Sequence, residues 1–263
     1  QICFCAVKVR GACRRGALGP KMVSRTSVRR INEFAQNLFD GAAPGYDRIA
    51  ALLSYGQYSR WHAFLVSRFS LHPDALVLDV ATGTGAVAMA VVRRYRCRAI
   101  GLDLSRRMLD TASRRISCAE YRDRISLVQG QAEILPFPPS TFDAVFFTYL
   151  LRYVEDPKSV LQELARVLKP GGWMASLEFD LTRGIWYLPW KLHTRLVLPL
   201  AGWLISPEWH KVGKFLGPSI EQFVWKHRED IPRWWKEAGM VEVQSRRLSL
   251  GGAVVFWGRK AGA

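Results

Sequence analysis

A glycine-rich turn directly after a short apolar run constrains the fold of this 263-residue chain more than any other feature. The run at 75–80 has the length of a buried strand, and residues 81–85, of sequence ATGTG, separate it from a helical pattern that begins at Ala86. Glycines allow the backbone to turn tightly and let a ligand approach the start of the following helix. The sequence therefore predicts a strand–turn–helix unit that binds a small molecule at the turn.

Strand-like and helical runs alternate on both sides of this turn. Strands are predicted at 75–80, 98–102, 125–129, 142–148, 173–178, 241–248 and 253–259, and helices at 28–39, 47–54, 60–69, 86–94, 106–116, 158–168 and 231–238. This alternation is typical of βαβ units around a parallel sheet. A Trp-rich helical insert at 185–226 interrupts it. Short connections and the absence of repeats predict one domain over 22–263.

Basic residues exceed acidic ones, with 38 Lys and Arg against 22 Asp and Glu. Residues 1–31 hold eight basic residues and no acidic one, and the rest of the chain keeps an excess of eight. We expect residues 1–21 to be a tail or upstream sequence without a fold of its own. A mitochondrial transit peptide is the alternative, because the segment is rich in Arg and free of acid. The charge alone does not choose among nucleic acid, anionic lipid and acidic protein.

The cysteines show neither a disulfide framework nor a metal site. They are Cys3, Cys5, Cys13, Cys97 and Cys118. The first three lack a second pair of ligands at metal-binding spacing, so no metal is expected. The other two stand apart, which predicts a reducing compartment. We therefore expect a cytoplasmic location, with the mitochondrial matrix as the alternative.

The glycine-rich turn by itself fits two ligands. Residues 83–88 satisfy the G-x-G-x-x-A pattern of dinucleotide sites, and Asp103 lies near the distance expected for a ribose-binding acid. Asp79, however, would repel the diphosphate of a dinucleotide, whereas it would attract the cationic methionine end of S-adenosylmethionine. The turn therefore favours S-adenosylmethionine.

Three later segments agree with this interpretation: GLDLS at 101–105, AEILPF at 132–137 and RVLKPGG at 166–172. Together with the turn, they resemble class I S-adenosylmethionine-dependent methyltransferases. The resemblance implies an α/β, three-layer, Rossmann-like fold. Its sheet has seven mostly parallel strands between two helix layers, and its last strand is antiparallel.

The same resemblance implies the residues that contact the methyl donor. They are Asp79, Ala81, Gly83, Gly85, Asp103, Leu104, Met108, Gln131 and Ala132. Asp79 and the two glycines are expected to line the methionine moiety. Asp103 is expected to take the ribose hydroxyls, and Met108 to cover the adenine, with Gln131 and Ala132 along the adenine edge.

Segments outside the cofactor half carry a narrower resemblance. They are YD at 46–47, LSYG at 53–56, RW at 60–61, LRYVED at 151–156, LEF at 177–179, FLGPSI at 215–220 and GGAV at 251–254. They look like the ubiquinone/menaquinone biosynthesis C-methyltransferase family. This resemblance implies methyl transfer to a ring carbon of a prenylated quinol. Ala86, Tyr153 and the Trp-rich insert depart from the family pattern, and the departures at Tyr153 and the insert bear on the acceptor.

This reaction requires that a hydroxyl group on the acceptor ring lose its proton. A ring carbon attacks the methyl group only when an adjacent hydroxyl ionises, and the reference pKa of a phenol is about 10. The resemblance implies that Arg152, after the fourth strand, stabilises the phenolate or positions a water that acts as base. Tyr46 is the second catalytic candidate. The alternatives are an ion pair of Arg152 with Asp156 or Glu155, and core packing for Tyr46.

The insert at 185–226 leaves two interpretations open. Residues 185–205 are long enough to cross a membrane, but two prolines with Lys191 and Arg195 argue against it. Seven of the ten tryptophans lie between 186 and 235 among basic residues, which is typical of a surface at a membrane interface. A Trp-lined core under a helical cap is the other interpretation. His193 and His210 are candidates for acid–base work.

The expected partners are a lipophilic quinol and, peripherally, a membrane surface; a homodimer stays open. No nucleic acid is expected, because no RNA-binding module is evident. One alternative is a methyltransferase of the same fold that acts on a phospholipid headgroup amine or a hydroxylated polyketide. The other is a non-catalytic subunit, against which the intact Asp79, Gly83, Gly85 and Asp103 argue.

Overall fold

The structure is a computed structural model that describes residues 25–43 and 45–262. The expectations for the tail at 1–21 and for its three cysteines fall outside these residues. Seven strands form one sheet: β1 (Leu76–Val80), β2 (Arg98–Asp103), β3 (Ile125–Gln129), β4 (Phe142–Thr148), β5 (Leu168–Phe179), β6 (Met240–Leu248) and β7 (Ala253–Lys260). The strand order is β3-β2-β1-β4-β5-β7-β6, and β7 pairs antiparallel with both neighbours while the other pairs are parallel. The predicted fold class, with its antiparallel last strand, is confirmed.

Ten α-helices accompany the sheet in the described ranges: α1 (Arg25–Ala42), α2 (Tyr46–Leu53), α3 (Gln57–Val66), α4 (Ala86–Tyr95), α5 (Arg106–Ser117), α6 (Pro157–Val167), α7 (Tyr187–Leu192), α8 (Leu198–Ile205), α9 (Pro207–His227) and α10 (Asp230–Glu237). A π-helical turn, His193–Val197, joins α7 to α8. The predicted insert is thus helical from α7 to α9.

Both faces of the sheet are buried, which explains why the central strands read as continuous apolar runs. Successive side chains of a strand point to opposite faces. Phe147 belongs to the core that α6 and α10 cover, whereas its neighbour Phe146 belongs to the core that α3 and α4 cover. These two cores are the interfaces between the three layers.

The strand order places a cleft at the centre of the sheet. From β1 the chain winds outward through β2 to β3, and then returns to place β4 on the other side of β1. Ligands in open α/β sheets bind at such a switch, outside the carboxyl ends of the strands. The fold therefore puts the glycine-rich turn after β1 beside the loops that follow β2 and β4.

The largest difference from the predicted boundaries is at the start of β5. Strand β5 begins at Leu168, five residues before the predicted start at 173. Pairing of β4 with β5 shifts register between Phe142 and Ala144, which accommodates the Pro-Gly-Gly segment inside the strand. A Cβ on Gly172 would lie 2.9 Å from the carbonyl oxygen of Asp143, so the two backbones approach too closely for a side chain.

None of the helices in 25–43 and 45–262 combines the length and the apolar character needed to cross a bilayer.

Candidate active site

A first cavity opens at the carboxyl ends of β1 and β2. It contains about 920 Å³ of empty space, part of it open to solvent, which is within the usual size range of small-molecule sites. Helix α1 covers it with Asn32, Gln36 and Phe39. Seven of the nine predicted cofactor residues line it: Ala81, Gly83, Asp103, Leu104, Met108, Gln131 and Ala132.

The two glycines of the turn have different roles. Both have positive φ, +56° at Gly83 and +79° at Gly85. A Cβ on Gly83 would meet no atom within 4 Å, so that position faces open space in the cavity. A Cβ on Gly85 would lie 3.4 Å from the Cβ of Ala112 in α5. Gly85 thus packs the turn against α5, and the expectation that it lines the ligand is not met.

Asp79 also lies below the cavity wall rather than on it. Its Oδ2 accepts hydrogen bonds from the Thr82 hydroxyl at 2.6 Å and from the Ala88 N–H at 3.0 Å. Its Oδ1 has no partner in the described part of the chain, and burial raises the pKa of the carboxyl to about 7. Asp79 therefore supports the turn through Oδ2, because the side chain points from β1 toward the start of α4, and its direct contact with the methionine moiety stays a prediction.

Asp103 occupies the place expected of a ribose-binding acid. Its Oδ2 accepts from the Gly83 N–H at 2.7 Å, and its Oδ1 accepts from the Ser105 N–H at 2.8 Å. Burial raises the pKa of this carboxyl to about 6. A carboxylate has about four lone-pair sites, so two remain for hydroxyl donors in the cavity.

Asp47 connects the N-terminal helices to the turn. Its Oδ1 accepts from the Tyr58 hydroxyl at 3.0 Å, and its Oδ2 accepts from the Thr84 hydroxyl at 2.7 Å. Arg115 of α5 also donates to this carboxylate. Asp47 was not predicted as a site residue, although its position next to Tyr46 in the YD motif could have indicated one.

A second, larger cavity adjoins the first. It contains about 1190 Å³ of empty space, and both cavities are lined by Phe39, Tyr46, Tyr58, Tyr149 and Tyr153. The rest of its wall is mainly apolar and includes Leu53, Trp61, Phe179, Trp190, Leu198, Trp209, Val212, Leu216 and Ile220. The two cavities therefore adjoin at these shared aromatic side chains.

Arg152 lines the second cavity with donors to spare. Its Nη1 donates to the Ser219 hydroxyl at 3.0 Å, while Nε and Nη2 are buried and lack an acceptor within the described residues. Its guanidinium carbon lies 5.0 Å from the ring centroid of Tyr153. Asp156 instead caps α6, where it accepts from the Lys158 N–H at 3.1 Å. Oε2 of Glu155 likewise has no partner among the described residues, so Arg152 forms neither of the two alternative ion pairs there, and its unsatisfied N–H groups remain available to an acceptor.

Comparison with known proteins decides the family. The sequence model of the ubiE/COQ5 methyltransferase family matches residues 26–260. The chain belongs to the ubiE/COQ5 methyltransferase family. Like the other members, it is an S-adenosylmethionine-dependent methyltransferase.

Individual relatives of this ubiE/COQ5 family member cover nearly the same length. The demethylmenaquinone methyltransferase of Symbiobacterium thermophilum is 31% identical, over 87% of this chain and 93% of its own. The ubiquinone/menaquinone biosynthesis C-methyltransferase of Syntrophotalea carbinolica is 36% identical, over 84% and 91%. A solved S-adenosylmethionine-dependent methyltransferase of Thermotoga maritima shares the fold, with a TM-score of 0.57 and 21% identity over 86% and 99% of the two chains.

In this ubiE/COQ5 family member, Glu178 is a buried acid near the second cavity that was not predicted as a site residue. Its Oε1 accepts from the Leu151 N–H at 3.1 Å, and its Oε2 has no partner among the described residues. Burial raises its pKa to about 7, and the positive charge of Arg152 opposes that rise. The usable signal was an acid in the LEF motif at the end of an otherwise apolar strand.

Tyr149 was missed as well, and nothing in the sequence marked it. Its ring stacks on Phe179 with the centroids 4.3 Å apart, and its buried hydroxyl has no partner in the described ranges. It lies between the two cavities because its backbone adopts φ of +55° directly after β4.

Tyr46 both packs in a core and lines the cavities, so its position fits each of the two alternatives. Its ring packs 5.6 Å from that of Trp209, and its side chain lines both cavities. Burial, with smaller contributions from Tyr153 and Asp47, raises the pKa of its hydroxyl well above the ordinary value. Tyr46 is therefore a neutral phenol that can position a ligand, and it is a poor general base.

Neither histidine candidate presents a free lone pair to a cavity. His193 lines the second cavity, but its Nε2 lies 3.1 Å from the Leu53 carbonyl and its Nδ1 3.2 Å from the Tyr55 hydroxyl. The carbonyl can only accept, so Nε2 carries the proton and Nδ1 accepts from Tyr55. His210 lines neither cavity, and its Nδ1 lies 2.9 Å from the Pro199 carbonyl. Within the described ranges, no group of three or more His, Cys, Asp or Glu could hold a metal ion.

Proposed function

We propose that this protein methylates a ring carbon of a prenylated quinol in menaquinone or ubiquinone biosynthesis. The observation that carries the proposal is the junction of two cavities, one walled by the glycine turn and Asp103, the other apolar with Arg152 in its wall. The names of the relatives agree with it, since they describe a demethylmenaquinone methyltransferase and a ubiquinone/menaquinone biosynthesis C-methyltransferase.

The first cavity fits S-adenosylmethionine. The open space over Gly83 admits a ligand where a side chain would fill the cavity, and Asp103 offers acceptors for ribose hydroxyls. Met108 and Ala132, with Gln131 beside them, provide a surface for the adenine. When bound, S-adenosylmethionine supplies a methyl group on a positively charged sulfur, which is transferred in line to the attacking atom.

The second cavity would hold the acceptor ring against Arg152. The Nε and Nη2 donors of Arg152, which have no acceptor among the described residues, bind the oxygen of the acceptor hydroxyl, and the positive charge favours ionisation of that hydroxyl, whose proton leaves to water. Negative charge then moves into the ring and makes the carbon beside the oxygen nucleophilic. After the new carbon–carbon bond forms, that carbon loses its hydrogen as a proton and the ring regains aromaticity. Tyr46 and Tyr153, on the wall between the cavities, orient the ring.

The proposal is tested by adding the purified protein and labelled S-adenosylmethionine to a membrane lipid extract. The extract comes from a strain that lacks its own quinone C-methyltransferase. We expect mass spectrometry to find the label on a prenylated quinol. Label in phospholipid headgroups or in a polyketide would contradict the quinol and assign the alternative acceptor.

We place the reaction at the cytoplasmic face of a membrane, with the mitochondrial matrix as the alternative. The free thiols of Cys97 and Cys118 suit a reducing compartment, and a prenylated acceptor resides in a bilayer. A homodimer remains compatible with this proposal.

Affinity for S-adenosylmethionine is expected to increase as the pH rises through about 6, where the Asp103 carboxyl ionises. The protonated carboxyl has fewer acceptor sites for the ribose hydroxyls. Without ligand, ionisation of Asp103 should lower the melting temperature as the pH rises. An acid whose pKa is raised by folding stabilises the fold while it is protonated, and that stability is lost as the pH passes its folded-state pKa. Calorimetric titration and thermal melts across this range measure both trends, and Asp103→Asn should flatten them.

Tyr46→Phe is expected to lower kcat about tenfold and to leave the melting temperature nearly unchanged, because only one hydroxyl that orients the ring is lost. Trp209 would still pack on the phenyl ring. Steady-state kinetics with a quinol acceptor measure the effect. A fall in the melting temperature that accounts for the lost activity would instead support core packing as the sole role.

A further inference from the structure

The helical segment at 187–205, here called the lid helix, comprises α7, the π-helical turn and α8. It packs on α9 through small residues. Thr194 and Gly202 are buried on its inner face, and a Cβ on Gly213 of α9 would lie 2.5 Å from the Leu198 carbonyl oxygen. Close approach of two backbones through small residues is typical of helices in membranes.

The outer face of the lid helix is apolar along its whole length. Five leucines repeat every fourth residue and are between 49% and 77% exposed: Leu188, Leu192, Leu196, Leu200 and Leu204. Ile185, Trp186, Val197, Trp203 and Ile205 are exposed beside them. A helix on the surface of a water-soluble protein has the opposite arrangement, with its large apolar residues toward the core. A contiguous apolar face of this kind marks an interaction site.

The surroundings of this face are basic. Residues 183–226 contain six Lys and Arg and two Asp and Glu. Arg195 is paired with Glu221 at the edge of the lid helix, and Lys191 lies 5.7 Å from the ring centroid of Tyr187. Trp203 and Trp225 are exposed nearby in the sequence. Apolar, aromatic and basic side chains together favour the interfacial region of an anionic bilayer.

The lid helix also forms part of the acceptor cavity. Trp190, His193, Thr194 and Leu198 line that cavity from the inner side of the lid helix. Tyr55 of the neighbouring loop lines it too, is 74% exposed, and bonds to His193 through its hydroxyl. The apolar outer face therefore adjoins residues of the cavity wall.

We propose that the outer face of the lid helix inserts into the headgroup region of an anionic lipid bilayer and that the acceptor enters the second cavity from there. The axis of the lid helix lies parallel to the bilayer plane, because the inner face of this helix packs against α9. A second copy of the chain is a poorer occupant, since a symmetric interface would bring the same basic surroundings together. The route of entry rests on the proposed function, whereas the insertion itself does not.

Vesicle sedimentation of the full chain tests the insertion. We expect it to bind vesicles of phosphatidylcholine with phosphatidylglycerol more tightly than vesicles of phosphatidylcholine alone. The double variant Leu196→Gln, Leu200→Gln should bind at least about tenfold more weakly, because two buried leucines are lost from the interface. The matched control is Ile134→Gln, Val241→Gln, since both residues are exposed apolar side chains outside the lid helix. The control should bind like the wild type.

Quenching of tryptophan fluorescence is an independent test of the insertion. Vesicles with brominated acyl chains are expected to quench tryptophan emission of the wild type, and Trp203→Phe should reduce that quenching. Equal vesicle binding of the wild type and the Leu196→Gln, Leu200→Gln variant would overturn the proposal. So would a dimer, measured by light scattering without lipid, that this variant dissociates, because the face would then belong to a second copy.

A further assay separates this proposal from the proposed function. Methyl transfer to a short-chain, water-soluble quinol without vesicles should be equal in the wild type and in the Leu196→Gln, Leu200→Gln variant. No transfer by either protein would refute the quinol acceptor and leave the vesicle result standing. Loss of transfer in the variant alone would refute the proposal, because the substitutions would then have damaged the cavity.

Discussion

Arg152→Gln is expected to lower kcat about a hundred- to a thousandfold while the affinity for S-adenosylmethionine stays within a few-fold of the wild type. A fall in kcat of this size is typical when an enzyme loses one group that stabilises charge in the transition state. Arg152 lines the second cavity and not the first, and its Nε and Nη2 have no acceptor among the described residues. Arg152→Lys should also be impaired, since an ammonium cannot reproduce the planar arrangement of donors. Steady-state kinetics and calorimetric titration measure the two quantities.

The pH dependence distinguishes this role from a structural one. Activity of the Arg152 variants should recover partly at high pH, where more of the acceptor ionises without help. Arg98→Gln is the matched control, because Arg98 is exposed at the opposite end of β2 and lines neither cavity. A pH–rate profile parallel to that of the wild type, together with a lower melting temperature, would contradict the catalytic assignment.

Gly83→Val and Asp103→Ala are each expected to weaken S-adenosylmethionine binding by about ten- to a hundredfold. In the first variant a side chain fills the space that the ligand needs, and in the second the charged acceptor of the ribose hydroxyls is lost, for which about 1.5–3 kcal/mol per bond is typical. Calorimetric titration measures the affinities, and thermal melts verify folding.

Gly171→Val separates ligand blocking from backbone strain. Gly171 also has positive φ, +73°, and open space at its Cβ position, but it does not line the first cavity. Its variant should therefore bear the same strain as Gly83→Val and bind the methyl donor like the wild type. Unchanged affinity in both Gly83→Val and Asp103→Ala, with folding intact, would refute the cofactor site.

The sequence was sufficient for the cofactor half, because its signals are local. The turn at 81–85 is preceded by β1 and followed by α4, and Asp103 ends the next strand. A turn that needs positive φ at Gly83 leaves its mark in the residue type at that position. Arg152, four residues after the end of β4, was likewise predicted near the cleft, and the structure places it in the wall of the second cavity.

The roles of Asp79 and Gly85 needed the tertiary structure. Both belong to the motif, so the sequence grouped them with the ligand contacts. Their side-chain positions point toward Ala88 and Ala112, respectively, and not into the cavity. Which side of a turn a residue faces depends on the helices packed against it, and these come from other parts of the chain.

The burial of each tryptophan also needed the tertiary structure. The sequence left open whether they form a core or an interface, and the structure contains both. Trp209 and Trp235 are buried, whereas Trp203 and Trp225 are exposed. Composition shows how many apolar side chains a segment has. Only the packing of α8 on α9 decides which of these side chains remain exposed to solvent.

The amino-acid sequence by itself determined the fold class, the methyl donor and the family, since these depend on short motifs and on the periodicity of apolar residues. Only the tertiary structure decided what surrounds each reactive group. Arg152 has a partner in Ser219, 67 residues away, and Asp47 of α2 joins Thr84 of the glycine-rich turn to Arg115 of α5. Burial raises the pKa of Glu178 and leaves donors of Arg152 unsatisfied, and burial is a property of contacts between segments that are distant in the sequence.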